Sequence, residues 1–165
     1  MSTARLSLHT ALFAAFSTLF TGCIGDDAIV FVDPSISAPQ AGITGSVLGS
    51  TVTGSFQLRL VLGPRASGSS SVTFGAVNIT DDAGKTALVS SLSLTTSKPF
   101  PLDVPPSSDI TIDVTFDLAD KTVPQATVDA LCAAPGITIS GTIQDSLQNA
   151  ATPFMSESFI PSGCP

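Results

Sequence analysis

The chain has 165 residues, with six Lys and Arg against thirteen Asp and Glu, giving a formal charge of −7 at neutral pH. That acidity argues against a nucleic-acid partner and against an electrostatic grip on anionic lipid headgroups. With a single histidine, three cysteines and neither Trp nor Tyr, imidazole metal sites, Ser–His or Cys–His nucleophiles and aromatic sugar platforms have little to be built from.

Residues 1–22 read as an export signal. Arg5 gives a positive start, Leu6 to Phe20 is apolar apart from small polar residues and His9, and Gly25-Asp26-Asp27 follows soon after. The run is too short for a membrane span. It ends in Phe20-Thr21-Gly22-Cys23, which resembles the signal of a bacterial lipoprotein precursor, although that motif favours Leu where Phe20 stands. The resemblance implies that Cys23 is acylated and opens the mature protein, its covalent lipid being the only attached group expected. It also implies a membrane partner, held through that anchor, at the bacterial cell envelope. Ile24 in place of an inner-membrane Asp points to the outer membrane. An ordinary cleaved signal is the alternative, but Ala14-Ala15 lies too deep in the apolar run to be its cleavage site. Three cysteines would leave one free thiol in an oxidising compartment; with Cys23 on lipid, Cys132 and Cys164 remain as a disulfide pair. They have neither CxxC spacing nor a basic neighbour to suit them for catalysis.

Residues 23–27 are then the lipidated cysteine and a short tether. Ile24–Asp27 spans about 14 Å when extended, and 28–165 is the length of one domain. An apolar run from Ala28 to Val32 is expected to stop at Asp33-Pro34. In Thr51–Leu62, Val52, Phe56, Leu58, Leu60 and Leu62 share one face and polar residues the other, the period of a half-buried strand. A Ser/Gly loop follows at Ala66–Ser71. Val72 and Phe74 then start a strand that Val77 and Ile79 continue on the opposite parity, which predicts a bulge at Gly75-Ala76. Asp81-Asp82-Ala83-Gly84 predicts a hairpin turn with Gly84 at positive φ, returning through one strand carrying Leu88, Leu92 and Leu94. Pro99 and Pro101 confine Phe100–Val104 to a sheet edge.

Asp109–Leu118 alternates without a break: Ile110, Ile112, Val114, Phe116 and Leu118 against Asp109, Thr111, Asp113, Thr115 and Asp117. One wet face belongs to an antiparallel sheet. Val123–Ala133 is the helix candidate, with Thr122 and Gln125 at capping-box spacing and Pro135-Gly136 closing it. Ile137, Ile139 and Ile143 mark a further strand, and a last one is expected around Phe154–Ile160. The prediction is an all-β fold: an antiparallel immunoglobulin-like sandwich of seven to eight strands with one short connecting helix. Phe100-Pro101-Leu102, Val104-Pro105-Pro106 and the alternating Ile110–Phe116, with Ile137–Gly141 after them, resemble immunoglobulin-like domains of the major-sperm-protein and abnormal-spindle type. The resemblance implies a fold and a binding or scaffolding habit, and no site residue.

Of the remaining constellations, the row Asp109, Asp113, Asp117 cannot chelate unaided, because alternate outward residues lie about 7 Å apart. Asp81-Asp82 is the better calcium candidate, yet calcium asks for six to eight oxygens, and no metal site is expected. Thr95-Thr96-Ser97-Lys98 has the spacing of a nucleophile–base pair without the helix that chemistry needs. Asn78-Ile79-Thr80 matches a glycosylation sequon. The expected function is therefore a non-catalytic, lipid-anchored envelope module that binds another protein or a polymer. The alternative is a carrier for a small apolar ligand, and an enzyme using carboxylates alone is a third reading.

Overall fold

The computed structural model describes residues 29–46, 49–82, 84–118 and 123–164. The expected signal (residues 1–22), Cys23 and the expected tether lie outside them. The described strands are β1 (Asp33–Ser46), β2 (Gly49–Leu62), β3 (Ser70–Asp81), β4 (Ala87–Val89), β5 (Leu94–Thr96), β6 (Leu102–Val104), β7 (Ser108–Asp117), β8 (Ile137–Asp145) and β9 (Ala151–Met155), with helix α1 (Gln125–Ala133) between β7 and β8. One sheet runs β1-β2-β7-β5; the other runs β4-β3-β8-β9, with β6 also on β3. All strand pairs are antiparallel. Lettered A to G, these are the immunoglobulin orders A-B-E-D and C′-C-F-G.

The alternation in β2 and β7 builds the first inner face. Phe56 lies opposite Val114 and Leu58 opposite Ile112, and Val52, Phe56, Leu58, Leu60, Leu62, Ile112, Val114 and Phe116 are all buried. Val72, Val77, Ile79, Ile137, Ile139 and Ile143 supply the other face, and both belong to one continuous apolar cluster. Gly54 falls on the inward parity of β2 because a side chain there has no room: an added Cβ would stand 2.2 Å from the Phe116 ring and 2.3 Å from the Gln40 carbonyl oxygen.

The expected bulge is present, the β3–β8 register shifting between Phe74 and Val77. Gly84 has φ +66 in the turn after β3, and β6 is an edge piece. Four expectations are corrected. Asp33-Pro34 is not merely the stop of the apolar run but opens β1, and the residues before it, Ile29–Val32, form no strand. Pro34 is tolerated because it sits on the outermost strand. The single return strand is instead two pieces: β4 stays on β3, whereas β5 crosses to β7 in the other sheet, and Ser91 turns between them at φ 58. The count of described strands is therefore nine. The helix begins at Gln125 with Pro124 at its N-cap and no side-chain capping bond; Thr122 lies outside the described residues, and Gln125 donates to Asp129 Oδ1 one turn on, at 2.8 Å. The last strand runs Ala151–Met155, earlier than expected.

Candidate functional site

The pairing register divides the sandwich into two ends. At one lie the start of β1, the end of β2, the start of β7 and the β8–β9 turn. At the other lie the Asp81–Lys85 turn, α1 and the chain after β9. The thirteen steps of β2 separate them by about 43 Å.

The chain enters at the first end through Ile29–Val32. Its backbone is fixed twice: Gly63 N–H donates to Ile29 O at 3.1 Å, and Val32 N–H donates to Asp145 Oδ2 at 2.7 Å. Asp145 is 3 % exposed. Its Oδ1 also accepts from the Ser70 hydroxyl and from Leu147 N–H, so one carboxyl ties the entering segment, the start of β3 and the β8–β9 turn together. A buried carboxyl is tolerated only with such partners. The sequence reading missed it, although its signal was legible: Asp145 and Ser70 stand at the inward parity of Ile143 and Val72. Between the two fixed points, Val30 and Phe31 are 41 % and 43 % exposed. They line an open depression of about 300 Å³ with Ile29, Val32, Asp33, Gln148 and Thr152.

The far end is closed by the second predicted feature. Cys132 on α1 is joined to Cys164, their Cα atoms 5.6 Å apart. The same tail pairs with two strands. Phe159 and Ile137 exchange backbone bonds of 2.8 and 2.9 Å, while Ser162 donates to Ala41 O and accepts from Ile43 N–H, both at 2.9 Å. Gly163 is required there, because it has φ +77 and an added Cβ would meet Ile43 O at 2.1 Å.

The carboxylates singled out in the sequence do not converge. Arg59 grips Asp109 in two bonds of 2.8 and 2.6 Å. Gln57 Nε2 donates to Asp113 Oδ1 at 3.1 Å, and Asp117 ends β7. Asp81 Oδ1 caps its own turn, accepting from Lys85 N–H at 2.8 Å and Thr86 N–H at 3.2 Å; Asp82 follows it at the turn. Among the described residues no group of three or more His, Cys, Asp or Glu is placed to hold a metal. Thr95 and Thr96 lie on β5, where Thr96 Oγ1 donates to Lys98 O at 2.7 Å. Asn78 Oδ1 accepts from Ser91 N–H at 2.9 Å.

Two of these carboxyls are displaced from the ordinary value of 3.8. The Thr86 amide first, and the Lys85 amide after it, hold Asp81 below that value; the Arg59 bonds hold Asp109 below it. Because the folded values are lowered, the stabilisation is present above the unfolded value and is lost as pH falls below it. The urea midpoint of the wild type is therefore expected to drop as pH is taken below 3.8, and the Asp81→Asn/Asp109→Asn variant should show a shallower drop. Equal slopes would count against this assignment.

The sheet edges are poor docking places. β4, β5 and β6 have three residues each. Ser156 N–H donates to Ile139 O, so alternation along β9 turns the Pro153 nitrogen outward. Leu118 N–H donates to Val52 O, which sets even-numbered residues of β2 toward β7; Pro34, opposite Leu60, thus also faces outward. The second half of β1 lies beyond a bulge at Ala38-Pro39 and is partly covered by Ser162. Prolines, bulges and short strands of this kind deter strand addition. Within the described residues no helix is long and apolar enough to cross a membrane. No family model, curated protein or solved structure matches this chain.

Proposed function

We propose that this protein is a non-catalytic lipoprotein of the bacterial envelope, acylated on Cys23 and carried on the outer membrane. In this reading the sandwich presents its far end to another envelope protein or to a polymer. The observation that carries the proposal is where the chain enters. Ile29 is fixed at one end of the body, six residues after Cys23, and those six steps span about 20 Å at most. An anchored Cys23 holds that end beside the bilayer and displays the Asp81–Lys85 turn, α1 and the 157–164 tail toward the opposite end. Loops are favoured over strand edges as the contact, since proline and short length blunt the edges.

The non-catalytic reading is supported by the duties of the carboxyls. Asp81, Asp109, Asp113 and Asp145 each bond to a turn, a neighbouring strand or the entering segment rather than facing one another across a cleft. The carrier alternative has less support: the side chains between the sheets are Phe56, Phe116, Leu58, Ile112, Ile139 and their neighbours, essentially without exposure, and the 300 Å³ depression is open and lies outside them.

Fractionation of cells expressing the full precursor tests the anchor. The wild type is expected in the membrane fraction, released by detergent and not by salt, and Cys23→Ser in the soluble fraction. A wild type that is soluble without detergent would overturn the proposal.

A further inference from the structure

Resting on the anchored reading, we infer that Val30 and Phe31 form a second contact with the lipid surface, fixing the orientation of the sandwich on the membrane. The segment that carries them forms no strand and bends at Phe31. Both are more than two-fifths exposed. They are also held rigidly: the Ile29 carbonyl is bonded to Gly63 and the Val32 amide to Asp145, so the two side chains are mounted on a backbone secured just before and just after them. Large apolar side chains displayed on a fixed backbone mark a contact surface rather than a fraying end.

Lipid is the occupant that the chain itself selects. Five residues separate Ile29 from Cys23, so acyl chains on that cysteine bring the bilayer interface within about 20 Å of Ile29, two residues before Phe31. The depression beside the pair is mostly apolar, with Gln148 and Thr152 at its rim, the mix of apolar body and polar border that suits an interfacial position. Asp33 also lines it and no cationic residue does, so the contact is expected to draw nothing from anionic headgroups and to form on a zwitterionic surface. Toward the opposite end, Met155, beside Gly84, and Ile160 are 56 % and 79 % exposed, and Ile160 sits between the Phe159 and Ser162 attachments, away from the entry point.

The absence of Trp and Tyr makes the test direct. Full-length lipidated Phe31→Trp and Ile160→Trp each carry one reporter and are reconstituted into phosphatidylcholine vesicles with or without bromine on the upper acyl chain. Val30→Trp serves as the second reporter should Phe31→Trp fold poorly, judged by its circular dichroism melt. Emission from position 31 should shift to shorter wavelength and lose most of its intensity in brominated vesicles, while position 160 does neither. If the protein floats with the vesicles but position 31 is not quenched, the inference is wrong and the anchor stands. A blue shift that tracks protein density instead of bromine would assign the surface to a second copy, again overturning it. Failure to float at all removes the anchored reading and this inference with it.

Discussion

Asp145→Ala is expected to lose about 3–4 kcal/mol of stability, the largest effect we foresee for a single substitution away from the apolar core. The change removes the acceptor of three donors at once: Val32 N–H, Leu147 N–H and the Ser70 hydroxyl. Each donor left in a buried setting without a partner costs about 1–3 kcal/mol, the lower figure applying where water can reach it. Asp145 itself is buried and Ser70 fully so, whereas Leu147 is only partly covered, which keeps the sum near the lower end. For a body of this size the melting temperature should fall by about 10–15 °C. Asp145→Asn keeps the shape and one acceptor oxygen but turns an amide N–H₂ toward a donor, and about half the loss is expected. Circular dichroism is the measurement of choice, because the chain has no Trp or Tyr to report by fluorescence. A loss below about 1 kcal/mol for Asp145→Ala would mean that the entering segment is not held in the way described here.

Removing the disulfide with the Cys132→Ala/Cys164→Ala variant is the second large expected effect. The cysteines are 32 residues apart, and on the chain-entropy account a loop of that length is worth about 3–4 kcal/mol. Against a total stability of about 5–15 kcal/mol for a typical domain, the variant should remain folded but melt much earlier. The bridge joins α1 to the tail at the margin of the apolar cluster, against which Cys132 packs, rather than between the two sheets, so the damage should be uneven. Amide exchange should accelerate first at Ile43, Ile137 and Ser162, whose bonds hold the tail, while Ile112 and Val114 in the centre of β7 stay protected. Uniform acceleration would instead place the disulfide inside the cooperative core.

These two features differ in how far the sequence disclosed them. The pairing of Cys132 with Cys164 followed from cysteine parity once the lipoprotein resemblance had set Cys23 aside. The alternating runs of β2 and β7, the bulge at Gly75-Ala76 and the positive φ of Gly84 were likewise legible, because periodicity and glycine chemistry act locally. Asp145 was not recognised, since a carboxyl at an inward position looks like a misplaced surface residue until its donors are known, and two of the three lie 113 and 75 residues away along the chain. The division of the Leu88–Leu94 stretch between two sheets was hidden for the same reason: the leucines keep a common parity whichever sheet receives them, and only the turn at Ser91 decides. Pro34 misled because a proline ends a central strand but not an edge strand with its nitrogen outward. As for the candidate site, the sequence pointed to Cys23 but not to the end of the body at which the chain would arrive, a property of the register of β1 on β2.

The mass of the mature protein extracted from the envelope tests the central claim most directly. If Cys23 carries the anchor, tryptic analysis should find an N-terminal peptide that begins at Cys23 and is heavier than its sequence by a diacylglyceryl group, with or without a further amide-linked acyl chain. Globomycin should leave the Met1 precursor uncut. A mature N-terminus at another residue, or an unmodified Cys23 thiol, would contradict the account.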